Sequence, residues 1–237
     1  SDIDLMTFRV TDQLTGRLMG LRADITPQAA RIDAHSLKRE GPVRLCYAGS
    51  VLHTRPKKPL ASRSPIQLGA ELYGDNSQAS DLEIICLMLE TLRVVGLSEL
   101  TLDIGHVAVY QAVVDAAGLS DEQEQRYFDI LQRKAVAELG TFIDELAVDG
   151  ETAKQLSGLN ALHGGDDVLQ RGLELFANIP AAVDAIHALQ SLQQRLTARM
   201  PSLSFYFDLA ELRGFHYHTG LVFSALVSEH MIVFVFG

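Results

Sequence analysis

A chain of 237 residues with 47% apolar and 21% charged residues has the composition of an ordinary globular protein, large enough for one domain carrying a smaller insertion. It contains no apolar run near the roughly 18 residues that span a membrane and no secretory signal pattern. The formal net charge of −10 argues weakly against nucleic acid as the main partner, because binding phosphates requires clustered basic residues.

The two cysteines, Cys46 and Cys86, lie in apolar stretches and lack the spacing of a metal site. Free cysteine is among the residues most often buried, and reduced thiols are typical of the cell interior. We therefore expect two buried thiols in a cytoplasmic protein.

The first half of the chain alternates extended and helical patterns. We predict a hairpin from strands over 4–10 and 18–24, a helix over 28–39, strands over 43–52 and 66–73, a helix over 80–95 and a strand over 99–104. The first predicted strand begins at residue 4 with nothing before it, so we expect that earlier residues of the domain are missing from this sequence.

The pattern from 107 to about 200 is helical. Ser120 and Gln123 form a capping-box signal for a helix reaching about 139, a break is predicted over 157–165, and further helices fit 166–177 and 181–199. A strand over 203–209 and a hairpin over 215–227 close the chain. The order predicts an α+β fold, with an antiparallel sheet flanked by helices and a helical insertion. We expect one domain overall, with core residues 1–110, a helical segment 111–202 and final core strands 203–237.

Polar residues on extended segments are the main candidates for a site. Gln67, Gly69 and Glu71 share one face of their strand, since side chains alternate along a strand. We expect Asp24, Thr26, Arg55, Arg213, Tyr217 and His218 to converge on the same sheet face. This set suits a zwitterionic small molecule, with a carboxylate for an ammonium group and an arginine for a carboxylate. The alternative is a polar sheet face turned to water.

Standard catalytic and phosphate-binding motifs are missing from the sequence, including the Walker loop, G-x-G-x-x-G, G-x-S-x-G and H-E-x-x-H. His216 and His218 share a strand face as two metal ligands would, but a third ligand is not evident. We predict neither a metal nor a cofactor.

Three segments resemble histidyl-tRNA synthetases, in the family's order and across nearly the whole chain. The segment LRADITPQAARI (21–32) resembles the family's L-R-P-E-G-T motif, and GSVLHTRP (49–56) with PIQLGAELYG (65–74) resembles the motif 2 hairpin of class II synthetases. LRGFHYHTG (212–220) is similar to the R-G-L-D-Y-Y-T-G histidine signature. The fold implied is a class II aminoacyl-tRNA synthetase-like core.

The resemblance also implies ligand-binding residues. It places histidine contacts at Asp24, Thr26, Gln67, Glu71 and Arg213. It sets Tyr217 and His218 where the family has a tyrosine pair, and Arg55 at the second arginine of motif 2.

The departures from the family fall mainly on its nucleotide site. Leu52 stands where the first motif 2 arginine contacts the α-phosphate of ATP, and losing one such donor typically costs roughly 10²–10³ in rate. The aromatic G-R-Y-R-x-F stretch has become LASRSP (60–65), and Asp-Tyr-Tyr has become HYH (216–218). Motif 1 is not found, and SEHMIVFVFG follows Val227 where the family continues toward motif 3, so both motifs are either absent or outside this sequence.

A retained amino-acid pocket beside a damaged ATP site resembles the synthetase paralogues that regulate ATP phosphoribosyltransferase. That resemblance implies no catalysis and a partnership with the short-form catalytic subunit, as a homodimer within a hetero-octamer. It also implies histidine as the effector and no binding of tRNA or membrane. The alternatives are a histidyl-tRNA synthetase catalytic core and a stand-alone histidine sensor.

Overall fold

The computed structural model describes residues 2–56, 61–212, 220–227 and 234–236. The described residues up to Ser80 form one compact unit, and those from Asp81 onward form a second. We describe each unit by itself.

The first unit consists of two hairpins and short helices. Its elements are α1 (Asp2–Met6), β1 (Arg9–Thr11), β2 (Leu18–Gly20), α2 (Thr26–Arg31), a π-helical turn (Ile32–Leu37), β3 (Val43–Ser50) and β4 (Ile66–Tyr73). The long hairpin pairs β3 and β4 antiparallel, from Val43 opposite Tyr73 to Ser50 opposite Ile66. The predicted bounds of β4 are confirmed.

Several predictions were wrong in part, including the strands over 18–24 and 43–52, which end at Gly20 and Ser50. Residues 4–6 belong to helix α1, where the Thr7 hydroxyl donates to the Ile3 carbonyl at 2.6 Å, so the strand starts only at Arg9. The predicted helix over 28–39 begins two residues earlier and changes to π geometry at Ile32. Cys46 is exposed and only Cys86 is partly covered, because Cys46 faces away from the packed side of β3.

The second unit carries a sheet and a run of helices. Its elements are α3 (Gln78–Val94, which starts in the first unit), β5 (Leu100–His106), α4 (Val107–Ala117), α5 (Asp121–Gln132), α6 (Val136–Leu146), α7 (Gly150–Leu159), β6 (His163–Gly164), α8 (Asp167–Leu175), α9 (Pro180–Arg199), β7 (Ser204–Asp208), β8 (Leu221–Val227) and β9 (Phe234–Phe236).

The sheet of this unit has the strand order β6-β7-β5-β8-β9 among the described residues. Every pair is antiparallel except β5 with β7, which run parallel. A parallel pair requires a crossover connection, usually helical. The helices between β5 and β7 provide that crossover, so the predicted helical insertion returns the chain to the same sheet.

The helical run contains most of the buried core. Helix α4 packs against α7 and α9, and α8 also packs against α9. The predicted capping box of Ser120 and Gln123 is present. The predicted single helix to 139 is interrupted after Gln132, because Lys134 has a positive φ of 50°, and a new helix, α6, begins at Val136. Part of the predicted break over 157–165 is helical, since α7 continues to Leu159.

The mixture of sheets and segregated helices confirms the α+β class. The finer division into residues 1–110, 111–202 and 203–237 stays a prediction. Across the described ranges, no helix combines the length and apolar character needed to cross a membrane.

His106 makes the start of α4 sensitive to pH. Its Nδ1 accepts a hydrogen bond from the Ala108 N–H at 3.2 Å, which requires an unprotonated Nδ1, and burial lowers the pKa of His106. The unfolded chain, with a pKa near 6.5, therefore binds the proton more readily. We expect His106 to contribute stability above about pH 6.5 and to lose it as the pH falls toward its folded pKa.

Urea unfolding between pH 7.5 and 5.5 measures this effect. The variant His106→Asn keeps a capping oxygen but does not titrate, so its free energy of unfolding should fall less over this interval. Equal slopes for both proteins would rule out the contribution of His106.

Candidate functional site

The segment 22–26, which precedes and begins α2, is bound to the end of β3 by backbone and side-chain hydrogen bonds. The Leu52 N–H donates to the Arg22 carbonyl at 3.0 Å, and Arg22 Nε donates to the Ser50 carbonyl at 2.8 Å. Buried His53 donates from Nε2 to the Ala23 carbonyl at 3.0 Å. These bonds fix where Asp24 and Thr26 lie.

Gln67 on β4 holds the same segment from the other side. Its Oε1 accepts from the Ile25 N–H at 2.9 Å, and its Nε2 donates to Asp24 Oδ1 at 2.7 Å. Asp24 Oδ1 also accepts from the Thr26 N–H at 3.0 Å. Both ends of the Gln67 amide are thus used to position the loop.

Tyr47 on β3 links the loop to Glu71. Its hydroxyl lies 2.7 Å from Thr26 Oγ1 and donates to Glu71 Oε1 at 3.1 Å. Burial raises the pKa of Tyr47, and the nearby Glu71 carboxylate adds to the rise while the Thr26 hydrogen bond opposes it. The tyrosine therefore remains a neutral hydroxyl at physiological pH.

The network presents acceptors and negative charge. Asp24 and Glu71 are both half-buried, and Glu71 uses only Oε1 within the described network. The Tyr73 hydroxyl, also on β4, is buried and has no hydrogen-bond partner in the described part of the chain. Burial, followed by the charges of Glu71 and Asp33, raises the pKa of Tyr73 to about 12. Such a site suits a ligand that brings N–H donors or positive charge.

Four of the eight predicted site residues are therefore brought together: Asp24, Thr26, Gln67 and Glu71. Arg55 lies beyond β3, is exposed and makes none of these hydrogen bonds. Three others, Arg213, Tyr217 and His218, lie outside the described residues, and their place in the site stays a prediction.

Sequence reasoning missed Tyr47 and His53. Tyr47 lies directly opposite Gly69 in the hairpin register, on the same face as Gln67 and Glu71. Once the register is known, this alternation would identify it. No comparable signal marks His53, whose partner is a backbone carbonyl.

The described residues contain no group of three or more histidine, cysteine, aspartate or glutamate side chains able to hold a metal. His216 and His218 fall outside those residues.

Residues 1–233 match the family model of histidyl-tRNA synthetase. The chain belongs to the histidyl-tRNA synthetase family. The resemblance predicted from the sequence lies in residues 21–32, in residues 49–56 and 65–74 of the β3–β4 hairpin, and in residues 212–220, of which 213–219 lie outside the described residues.

Curated relatives carry a more specific name. The chain is 51% identical over 224 residues to a protein of Cellvibrio japonicus and 56% identical over 227 residues to one of Pseudomonas aeruginosa. Both are named ATP phosphoribosyltransferase regulatory subunit, and the matches cover 94% and 95% of this chain. The chain spans 57% of the length of these relatives.

Solved structures share the fold. A structure from Bacillus halodurans, described as an ATP phosphoribosyltransferase regulatory subunit/histidyl-tRNA synthetase, matches with a TM-score of 0.82 and 28% identity over 97% of this chain and 60% of its own. Histidyl-tRNA synthetase from Nostoc matches with a TM-score of 0.74 and 19% identity, over 94% of this chain and 53% of that chain. The predicted class II synthetase-like fold is confirmed.

One chain of a solved complex also shares the fold. The ATP phosphoribosyl transferase (HisG:HisZ) complex from Thermotoga maritima contains a chain with a TM-score of 0.73 and 18% identity, covering 95% of this chain and 77% of that chain. At this identity the match supports the fold alone.

Proposed function

We propose that this chain belongs to a regulatory subunit of ATP phosphoribosyltransferase that acts in the cytoplasm and has no catalysis of its own. The observation that carries the proposal is the identity of 51–56% to proteins of that name, over 94–96% of this chain. The enzyme it regulates opens histidine biosynthesis, so histidine is the expected feedback signal.

Leu52 supports the absence of catalysis. It occupies the position at which synthetases of the family have a phosphate-binding arginine, and its half-buried aliphatic side chain offers no hydrogen-bond donor. Without a donor for the developing charge, adenylate formation loses about 2.7–4 kcal/mol of transition-state stabilisation.

The hydrogen-bond network supports histidine as the ligand. Glu71, Thr26 and Asp24 provide acceptors for the ammonium group or the imidazole N–H of an amino acid. Gln67 positions Asp24, and Tyr47 bonds to Thr26 and Glu71. The roles that the resemblance implies for Arg55 and for Arg213, Tyr217 and His218, the last three outside the described residues, stay part of this proposal. For feedback, histidine must bind the inhibited and active assemblies unequally.

The expected partner is the short catalytic subunit, in line with the HisG:HisZ complex of the Thermotoga relative. We propose a homodimer within a hetero-octamer. We expect no tRNA binding, as the resemblance to the regulatory paralogues implies, and the formal net charge of −10 adds weak support.

A histidyl-tRNA synthetase catalytic core is the second candidate, favoured by the family model that matches residues 1–233. Histidine-dependent ATP–pyrophosphate exchange separates the two candidates. We expect a rate at least about 100-fold below that of an active synthetase assayed in parallel, because the arginine donor is missing. Exchange at a synthetase-like rate would refute the non-catalytic assignment.

A further inference from the structure

The hydroxyl of Tyr47 forms a hydrogen-bond chain with a defined direction. A carboxylate can only accept, so the single proton of Tyr47 is donated to Glu71 Oε1. The Tyr47 oxygen must then accept from Thr26, whose hydroxyl lies 2.7 Å away. The protons of both hydroxyls are therefore used inside the protein.

Gly69 makes this arrangement possible. It pairs directly with Tyr47 across the β3–β4 hairpin, and a Cβ at position 69 would overlap the Tyr47 ring and its hydroxyl. Without a side chain at 69, the ring lies across the strand and reaches Glu71, two residues further along β4 and on the same face.

We propose that Tyr47 is a positioning residue that fixes the hydrogen-bond polarity of the pocket and so selects ligands with N–H donors. Because the hydroxyl protons of Thr26 and Tyr47 are both donated within the protein, Thr26 Oγ1 and the second oxygen of Glu71 can only accept hydrogen bonds from a ligand. A ring bearing N–H groups satisfies these acceptors, whereas a ring without them leaves them unpaired, which is costly in a half-buried site. This inference rests on the proposed histidine pocket.

Calorimetric titration with two ligands tests the inference. L-Histidine is compared with L-β-(2-thienyl)alanine, whose five-membered ring has no N–H. We expect Tyr47→Phe to weaken histidine binding by about 10- to 100-fold, the range for a hydrogen bond to a charged group, and to change thienylalanine binding by less than about threefold. The ratio of the two affinities should therefore shrink. Leu68→Ala is the control, because Leu68 lies 59% exposed on the opposite face of β4.

A second variant, Gly69→Ala, keeps the Tyr47 hydroxyl but is expected to change its position. Gly69→Ala should displace the ring and reduce the affinity ratio in the same direction as Tyr47→Phe. If the wild-type protein does not bind histidine, the proposed pocket fails and the inference fails with it. If the wild type prefers histidine and both variants keep that preference, or if both ligands weaken equally, the inference alone is overturned.

Discussion

Replacing both Asp24 and Glu71 with alanine is expected to lower the affinity for histidine by about 10²- to 10⁴-fold. Each carboxylate is half-buried and positioned for a charged or N–H donor, and a hydrogen bond to a charged group is worth about 1.5–3 kcal/mol. The double variant removes two such acceptors, and isothermal titration of histidine measures the loss.

Asp24 also has a local structural role, because it accepts from Gln67 Nε2 and the Thr26 N–H. Glu71→Gln is therefore included, since it removes the charge of Glu71 without disturbing the loop and should account for a substantial part of the loss. Glu40→Ala is the matched control, an acidic residue that is exposed. Histidine affinity unchanged in the double variant would show that histidine binds elsewhere, such as at a subunit interface.

Truncating Tyr127 to alanine is expected to lower the free energy of unfolding by about 3–5 kcal/mol or more. The ring is fully buried on α5 and stacks between Tyr110 and Phe142, with centroid separations of 5.8 and 5.9 Å. Its hydroxyl donates to the Leu156 carbonyl at 2.7 Å, so α5 and α7 are joined through one side chain. Denaturant unfolding monitored by circular dichroism gives the change.

Tyr127→Phe separates the ring from the hydroxyl. It keeps both stacking contacts and leaves the buried Leu156 carbonyl without this donor, which costs about 1–3 kcal/mol. The difference between the two variants then measures the packing of the ring. If Tyr127→Ala were no less stable than Tyr127→Phe, the stacked aromatic core would contribute nothing to stability.

The long hairpin was the part of the fold best predicted from sequence. Alternation along IQLGAELY gave the bounds of β4 and placed Gln67 and Glu71 on one face, because the period of a strand is two residues whatever surrounds it. The capping box of Ser120 and Gln123 was also predicted correctly, because it depends only on two residues three positions apart. Features set by a few adjacent residues can be predicted in this way.

Features that depend on distant contacts were not predicted. Lys134 ends α5 with a positive φ that a glycine would have signalled, and Tyr47 joins the site only through its register opposite Gly69. The parallel pairing of β5 with β7 likewise depends on how the helices return the chain to the sheet. The histidine contact predicted for Gln67 stays a prediction, and what the sequence did not predict is that both ends of its amide bond to the loop.

In the proposed pocket, Asp24, Thr26 and Glu71 keep their acceptor groups, and Leu52 stands where the resemblance implies a phosphate-binding arginine. Hydrogen bonds within the first unit hold these groups in place. His53 bonds to the Ala23 carbonyl, Gln67 to Asp24 and Tyr47 to Glu71. Binding without activation is the behaviour expected of a sensor that reports histidine to another subunit.

Mixing the purified protein with a short-form ATP phosphoribosyltransferase catalytic subunit tests this account most directly. Turnover of the catalytic subunit should rise on mixing and fall again when histidine is added, with the Asp24→Ala, Glu71→Ala variant still activating but resisting the inhibition. Turnover that is the same with and without the protein would contradict the account.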